Sequence, residues 1–156
     1  MKQWCVELFL NFSTLIVFIH VLSAMVWVGG MIAIRFAVHF SLQTIDDPKI
    51  KLQTTLLNLK YFFNMVIVSI VLLLLTAFIM VQALELNSSV VYFKEGIWTL
   101  MTLVFIIVFI KRQKAHKSFN HNDFANTKKE LHPIAAYYIP LNILLGLLAL
   151  LLGIII

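Results

Sequence analysis

The polar residues of this 156-residue chain are bunched, and the apolar residues between them form runs too long for a soluble core. A helix needs roughly 20 mostly apolar residues to cross a hydrocarbon layer of about 30 Å. Four runs reach that length, over about residues 11–35, 61–84, 90–110 and 134–156. Lys94 and Glu95 interrupt the start of the third. Trp4 and Phe9, ahead of the first run, suit a membrane–water boundary, where aromatic rings settle. The first run extends past any cleavage position for a signal peptide, so it is expected to stay as an anchor.

Between the runs lie breakers. Asp46-Asp47-Pro48 signals a turn or a helix start. Residues 120–127 are polar and read as a mobile turn. Pro133 suits the first turn of the fourth helix, where its missing N–H costs nothing. Pro140 lies deeper and is expected to kink that helix. The pattern predicts an all-α protein, a single domain over residues 1–156, built as an integral membrane four-helix up-down bundle.

Composition and charge sharpen this picture. Hydrophobic residues make up 62% of the chain, and the mean hydropathy is +0.97. No soluble domain of that composition could cover itself with polar groups. Ten of the twelve Lys and Arg residues fall in two loops, from Arg35 to Lys60 and from Lys111 to Lys129. The positive-inside rule then puts both basic loops in the cytoplasm and both termini on the outer side of the membrane. The net charge of +5 therefore orients the chain against lipid, and no nucleic-acid motif accompanies it. A single cysteine, Cys5, excludes an internal disulfide, a Cys-x-x-Cys pair and covalent haem attachment.

The candidate chemistry begins at His20, the one histidine well inside a predicted span. An ionisable group at that depth is costly and usually functional. Ser13, His20, Trp27 and Ile34 recur every seven residues and line one face of a helix. Ser23, Ala24 and Gly30 flank that line, and such small residues let a backbone or a flat ligand come close. His20 is therefore a candidate axial ligand for a haem iron, with Trp27 beside the macrocycle. The plainer alternative is a neutral imidazole hydrogen-bonded to a hydroxyl or carbonyl of the next helix. Lys94, near the same end of the bundle, is a candidate second ligand; its plainer alternative is a lysine reaching for a headgroup or for Glu95. Arg35 and His39 are one turn apart but roughly 22 Å from His20 along the helix, so they suit lipid phosphates or a substrate carboxylate at the cytoplasmic mouth.

Weaker groupings follow. His116, His121, Asp123 and His132 fit no metal motif. Met25, Met31, Met65, Met80 and Met101 are scattered, which favours packing over copper binding. Asn64, Gln82 and Asn142 suit hydrogen bonds between helices. No span carries a mid-membrane carboxylate, which argues against an ion-driven transporter.

His20, Trp27, Gly30, Arg35, Val38 and His39 together resemble the opening helix of the HemJ-type protoporphyrinogen oxidases, and of the related copper-resistance protein D membrane domain. Leu59-Lys60-Tyr61 through Met65, Lys94, and Lys129-Glu130-Leu131-His132-Pro133 resemble the openings of that family's later spans more faintly. The chain departs from the pattern in having Ile32-Ala33-Ile34 before Arg35, and in placing Trp98 after Lys94 rather than a tryptophan before it. The aromatic–histidine pair late in the family's third span is absent as well. The resemblance implies one b-type haem per chain held by His20, with Lys94 also important. It implies oxidation of a porphyrinogen, electrons passing to respiratory-chain components, and Lys94 and Arg35 serving the reaction. From these residues the first expectation is a haem-binding redox protein of the inner membrane, in contact with lipids and able to form a homo-oligomer. The alternatives are a copper-handling membrane protein and a structural subunit of a larger membrane complex.

Overall fold

The computed structural model describes residues 2–85 and 89–155; Ile156, the last residue of the fourth predicted span, lies outside them. Every regular element among the described residues is helical. The elements are α1 (Lys2–Ala33), a π turn (Ile34–Val38), α2 (His39–Gln43), α3 (Pro48–Ala83), α4 (Ser89–Asn120), α5 (Phe124–Pro133), a second π turn (Ile134–Tyr138) and α6 (Ile139–Ile155). They join into four rods, Lys2–Gln43, Pro48–Ala83, Ser89–Asn120 and Phe124–Ile154, each long and apolar enough to cross a membrane.

Side-chain pairings fix how the rods lie. Between rods one and two, Lys2 meets Glu85, His20 meets Thr76, and Phe62 covers Gly30. Between rods three and four, Lys94 meets Gly153, Asn142 meets Met101, and Lys111 meets Glu130. In both cases one number rises as the other falls, so the neighbours are antiparallel. Rod one also packs on rod four, and rod two on rod three, which closes the ring. Lys2, Glu85, Lys94 and Gly153 therefore mark one end of the bundle. The other end is basic: it carries Arg35, Lys49, Lys51, Lys111, Arg112, Lys114, Lys128 and Lys129.

The core is an aromatic stack closed by aliphatic side chains. Trp27 meets Phe105 edge-on at 6.4 Å between ring centroids, and Phe63 meets Phe105 edge-on at 5.3 Å. Two glycines allow close approach. A Cβ on Gly30 would lie 2.6 Å from Phe62 Cε2, and one on Gly146 would lie 2.6 Å from Val28 Cγ2. Outward-facing side chains along the rods are largely apolar, among them Phe18, Val68, Leu74, Leu103 and Leu144. A surface of that kind is compatible with lipid rather than water as its neighbour.

Helix ends follow local chemistry, with one departure from expectation. Asp47 caps α3 by accepting from the backbone N–H groups of Lys49 at 2.7 Å and Ile50 at 3.1 Å, with Pro48 in the first turn. The expected mobile turn at 120–127 is shorter: Asp123 accepts from the Asn126 N–H at 3.0 Å and starts α5 at Phe124. Pro133 therefore closes α5 instead of opening the fourth helix. Just before Pro140, where a kink is expected, the rod carries a π turn, closed by the Ile139 N–H on the Ile134 carbonyl. The two missing proline N–H groups give a physical reason for a break in regular α pairing there. The first π turn is closed in the same way, by the His39 N–H on the Ile34 carbonyl. At the opposite end of rod one the backbone leaves helical geometry at Phe12 (φ −132°, ψ 26°), setting residues 2–11 apart from the long straight part.

Candidate functional site

His20 is half-buried on α1. Its Nδ1 lies 2.9 Å from Thr76 Oγ1 on α3. The Thr76 hydroxyl has only one proton, and it donates that proton to the Leu72 carbonyl one turn back, at 2.7 Å. With that proton on the Leu72 carbonyl, the tautomer that suits the contact has Nδ1–H donating to Thr76 Oγ1. The Nε2 lone pair is left without a hydrogen-bond partner among the described residues. Fixing one ring nitrogen by a hydrogen bond in this way orients an imidazole whose other nitrogen binds a metal.

The second charged group is Lys94. It is half-buried near the start of α4 and makes no ion pair with Glu95. Its Nζ instead lies against Gly153 on α6, 3.0 Å from where a Cβ would stand. Two rods thus bring an imidazole and a hydroxyl together, and the ammonium lies towards the same end of the bundle, where a glycine on the fourth rod leaves room for it.

The remaining predicted positions separate. Ser23 is buried and donates its hydroxyl to the Ile19 carbonyl at 2.7 Å. Ala24 packs half-buried against the core. Trp27 is buried in the core, and its indole N–H has no partner among the described residues. Gly30 lies beneath the Phe62 ring, so its missing side chain serves helix packing. Trp27 and Asn142 line a cavity of about 10 Å³, the size of one water molecule's room, and Asn142 Oδ1 is also unpartnered there. Arg35 is not part of the His20 cluster and lines a separate cleft at the basic end. His20 lines neither of these two cavities.

The His20–Thr76 contact is the one the plainer alternative for His20 expects, a hydroxyl of the next helix, although sequence reasoning did not single out Thr76 and missed Gly153. Thr76 was one hydroxyl among several on the second run, and only the helix register selects it. Gly153 carried a weak signal, as one of two glycines in the fourth run. Of the residues suited to pairing between helices, Asn142 does so, donating to the Met101 carbonyl at 3.2 Å, while Asn64 is exposed. Met25 and Met65 are exposed and Met31 and Met101 are in the core, so these thioethers do not form one cluster. Among the described residues no three His, Cys, Asp or Glu side chains gather as a metal site.

His20 offers one bond to a haem iron: an imidazole held at Nδ1 by Thr76, with Nε2 unpartnered among the described residues. Ser23 and Gly30 do not provide the open cradle expected of them, since one is buried and the other is covered. No protein-family model, curated protein or solved structure matches the chain, so the resemblance to the HemJ-type oxidases rests on the quoted residues alone.

Proposed function

We propose that this chain is a multi-pass protein of a bacterial inner membrane that binds a b-type haem through His20 Nε2 and takes part in electron transfer. What supports the reading is the His20–Thr76 contact, which holds the ring at Nδ1 and leaves Nε2 without a hydrogen-bond partner among the described residues. The basic end lies in the cytoplasm and the end bearing Lys2, Glu85 and Lys94 faces outward, in keeping with the positive-inside rule.

Bound haem would supply one-electron redox chemistry. The chain's own residues have simpler duties. His20 would hold the iron, and Thr76 would keep the ring from turning through its contact with Nδ1. Lys94 balances charge or carries a proton near the site, and its closeness to Gly153 holds it towards the bundle rather than towards bulk water. The apolar rods exclude water from the imidazole. Porphyrinogen oxidation is the specific reaction that the sequence resemblance favours.

Absorption spectra of the protein purified in mild detergent, oxidised and dithionite-reduced, test the reading. The expected result is a b-type spectrum with up to one haem per chain, lost in His20→Ala. A monodisperse protein that shows no Soret band after incubation with hemin overturns it.

A further inference from the structure

We propose that the basic end of the bundle holds a second, separate binding site: a cleft for an acidic amphiphile, a molecule with one carboxylate or phosphate head on an apolar tail, gripped by Arg35 and His39. The cleft has a volume of about 50 Å³ and opens to one side. That is room for several water-sized groups, enough for such a head and the first methylenes but far too little for a macrocycle. Its wall is mostly aliphatic, with Leu59 and Ile134 among the lining residues; the polar exceptions are Arg35, His39, Thr55 and Asn58.

Charge selects the occupant. Arg35 is half-buried and makes no hydrogen bond or ion pair among the described residues, and no Asp or Glu lines the cleft. A guanidinium kept in apolar surroundings without a counter-charge is costly, and its planar fork matches a carboxylate or phosphate. His39 adds a second donor at Nδ1; among the described residues its one polar contact is a long one, in which Nε2 accepts from Gln43 Nε2 at 3.5 Å. The Asn58 amide makes no hydrogen bond among the described residues and adds two N–H donors. The Thr55 hydroxyl is already committed to the Lys51 carbonyl at 2.8 Å. An anion entering the cleft therefore meets donors, while the tail meets aliphatic side chains.

The backbone points the same way. Two π turns on different rods, Ile34–Val38 and Ile134–Tyr138, both line this one cleft. Such insertions are rare and often mark functional sites, because the widened turn re-aims side chains. Here the first of them carries Arg35 and ends at His39.

The test uses the full chain in detergent and in lipid nanodiscs, with native mass spectrometry and the thermal-unfolding midpoint as readouts. The probes are oleate, oleyl alcohol, inorganic phosphate, and phosphatidylglycerol against phosphatidylcholine. Oleate or phosphatidylglycerol is expected to saturate at one per chain, and Arg35→Gln to weaken it by about tenfold or more. Oleyl alcohol and phosphate alone are expected not to saturate. Saturation by oleate points to a free acid as the source, and saturation by phosphatidylglycerol alone points to a bilayer lipid. An equal response to oleate and oleyl alcohol, or saturation unchanged in Arg35→Gln, overturns the proposal. If Arg35→Gln does not fold, Asn58→Leu blocks the cleft while keeping the charge, and one-per-chain binding surviving that change overturns it equally. His20→Ala is expected to leave this binding intact, which separates the cleft from the haem proposal.

Discussion

His20 Nδ1 and Thr76 Oγ1 lie 2.9 Å apart, on two rods that share no local sequence. Thr76 Oγ1 also reaches the Leu72 carbonyl at 2.7 Å, an arrangement that suits a proton on His20 Nδ1. Thr76→Val keeps the shape and removes the acceptor. Thr76→Ser keeps both acceptor and donor. Removing such an orienting partner typically lowers metal affinity by about 10- to 100-fold. The valine variant is therefore expected to lose haem on dilution or to bind it about tenfold more weakly. The serine variant is expected to stay near wild type. Hemin titration followed by the Soret band measures both.

Lys94 and Gly153 make a second pair, in which the glycine leaves room for the ammonium. Gly153→Leu displaces the lysine without touching its charge, whereas Lys94→Met removes the charge and keeps the length. If Lys94 acts at the His20 site, both substitutions shift the haem midpoint potential or its pH dependence in the same direction. Gly153→Ala is mild, because the atom it meets is the end of a flexible side chain. A potential that moves in neither Lys94→Met nor Gly153→Leu makes Lys94 a spectator.

Gly29 and Gly30 are neighbours with opposite expectations. Nothing stands within 4 Å of a Cβ on Gly29, whereas a Cβ on Gly30 meets the Phe62 ring at 2.6 Å. Gly29→Ala removes only backbone freedom and is expected to be neutral or stabilising by about 0.5–1 kcal/mol. Gly30→Ala overpacks a helix contact and is expected to cost about 1–3 kcal/mol. Adding Phe62→Leu should recover part of that loss, because the two positions touch and their effects are coupled. Denaturation of the four variants in one detergent gives the cycle.

Periodicity and charge made the four rods legible, and Asp47-Pro48 marked the start of α3, because these signals are local. Asp123 carried the same capping chemistry as Asp47, but it sat in a polar stretch that reads as loop, so α5 was hidden. The π turns leave little trace in sequence beyond the two prolines around the second. His20 stood out as an ionisable residue in an apolar run. Its partner did not, because Thr76 becomes its neighbour only through the register of two packed rods, the same packing that seats Phe62 over Gly30. Trp27 and Gly30 share a helical line with His20, yet they are taken up by the core: a seven-residue spacing gives a face but not what covers it.

The ends of the bundle offer a pH test. Lys2 Nζ lies 2.8 Å from Glu85 Oε1 and ties the start of rod one to the turn after rod two. The hydrogen bond from Lys2, and then its charge, hold the Glu85 carboxyl below its ordinary value of 4.5. A depressed carboxylate stabilises the fold above its ordinary value and loses that contribution as pH falls through the folded one. Glu85→Gln should therefore lower the unfolding midpoint slightly at pH 7, with the difference vanishing in acid. The pair is fully exposed, so the effect is small and shrinks with salt.

Arg112 is only 6% exposed, yet no carboxylate pairs with it among the described residues. One guanidinium nitrogen, Nη2, donates to the Leu56 carbonyl at 3.1 Å, and Nε has no partner. A buried cation held this way is poor compensation for lost hydration. Its aliphatic stem, however, fills space between rods two and three. Arg112→Met keeps most of the stem and removes the charge, and is expected to be neutral or stabilising by about 1 kcal/mol or more. Arg112→Ala empties the space and is expected to destabilise by about 2 kcal/mol or more. Chemical denaturation in detergent separates the two outcomes. If methionine costs as much as alanine, the guanidinium itself stabilises the basic end, and the bond to the Leu56 carbonyl ties rods two and three together there.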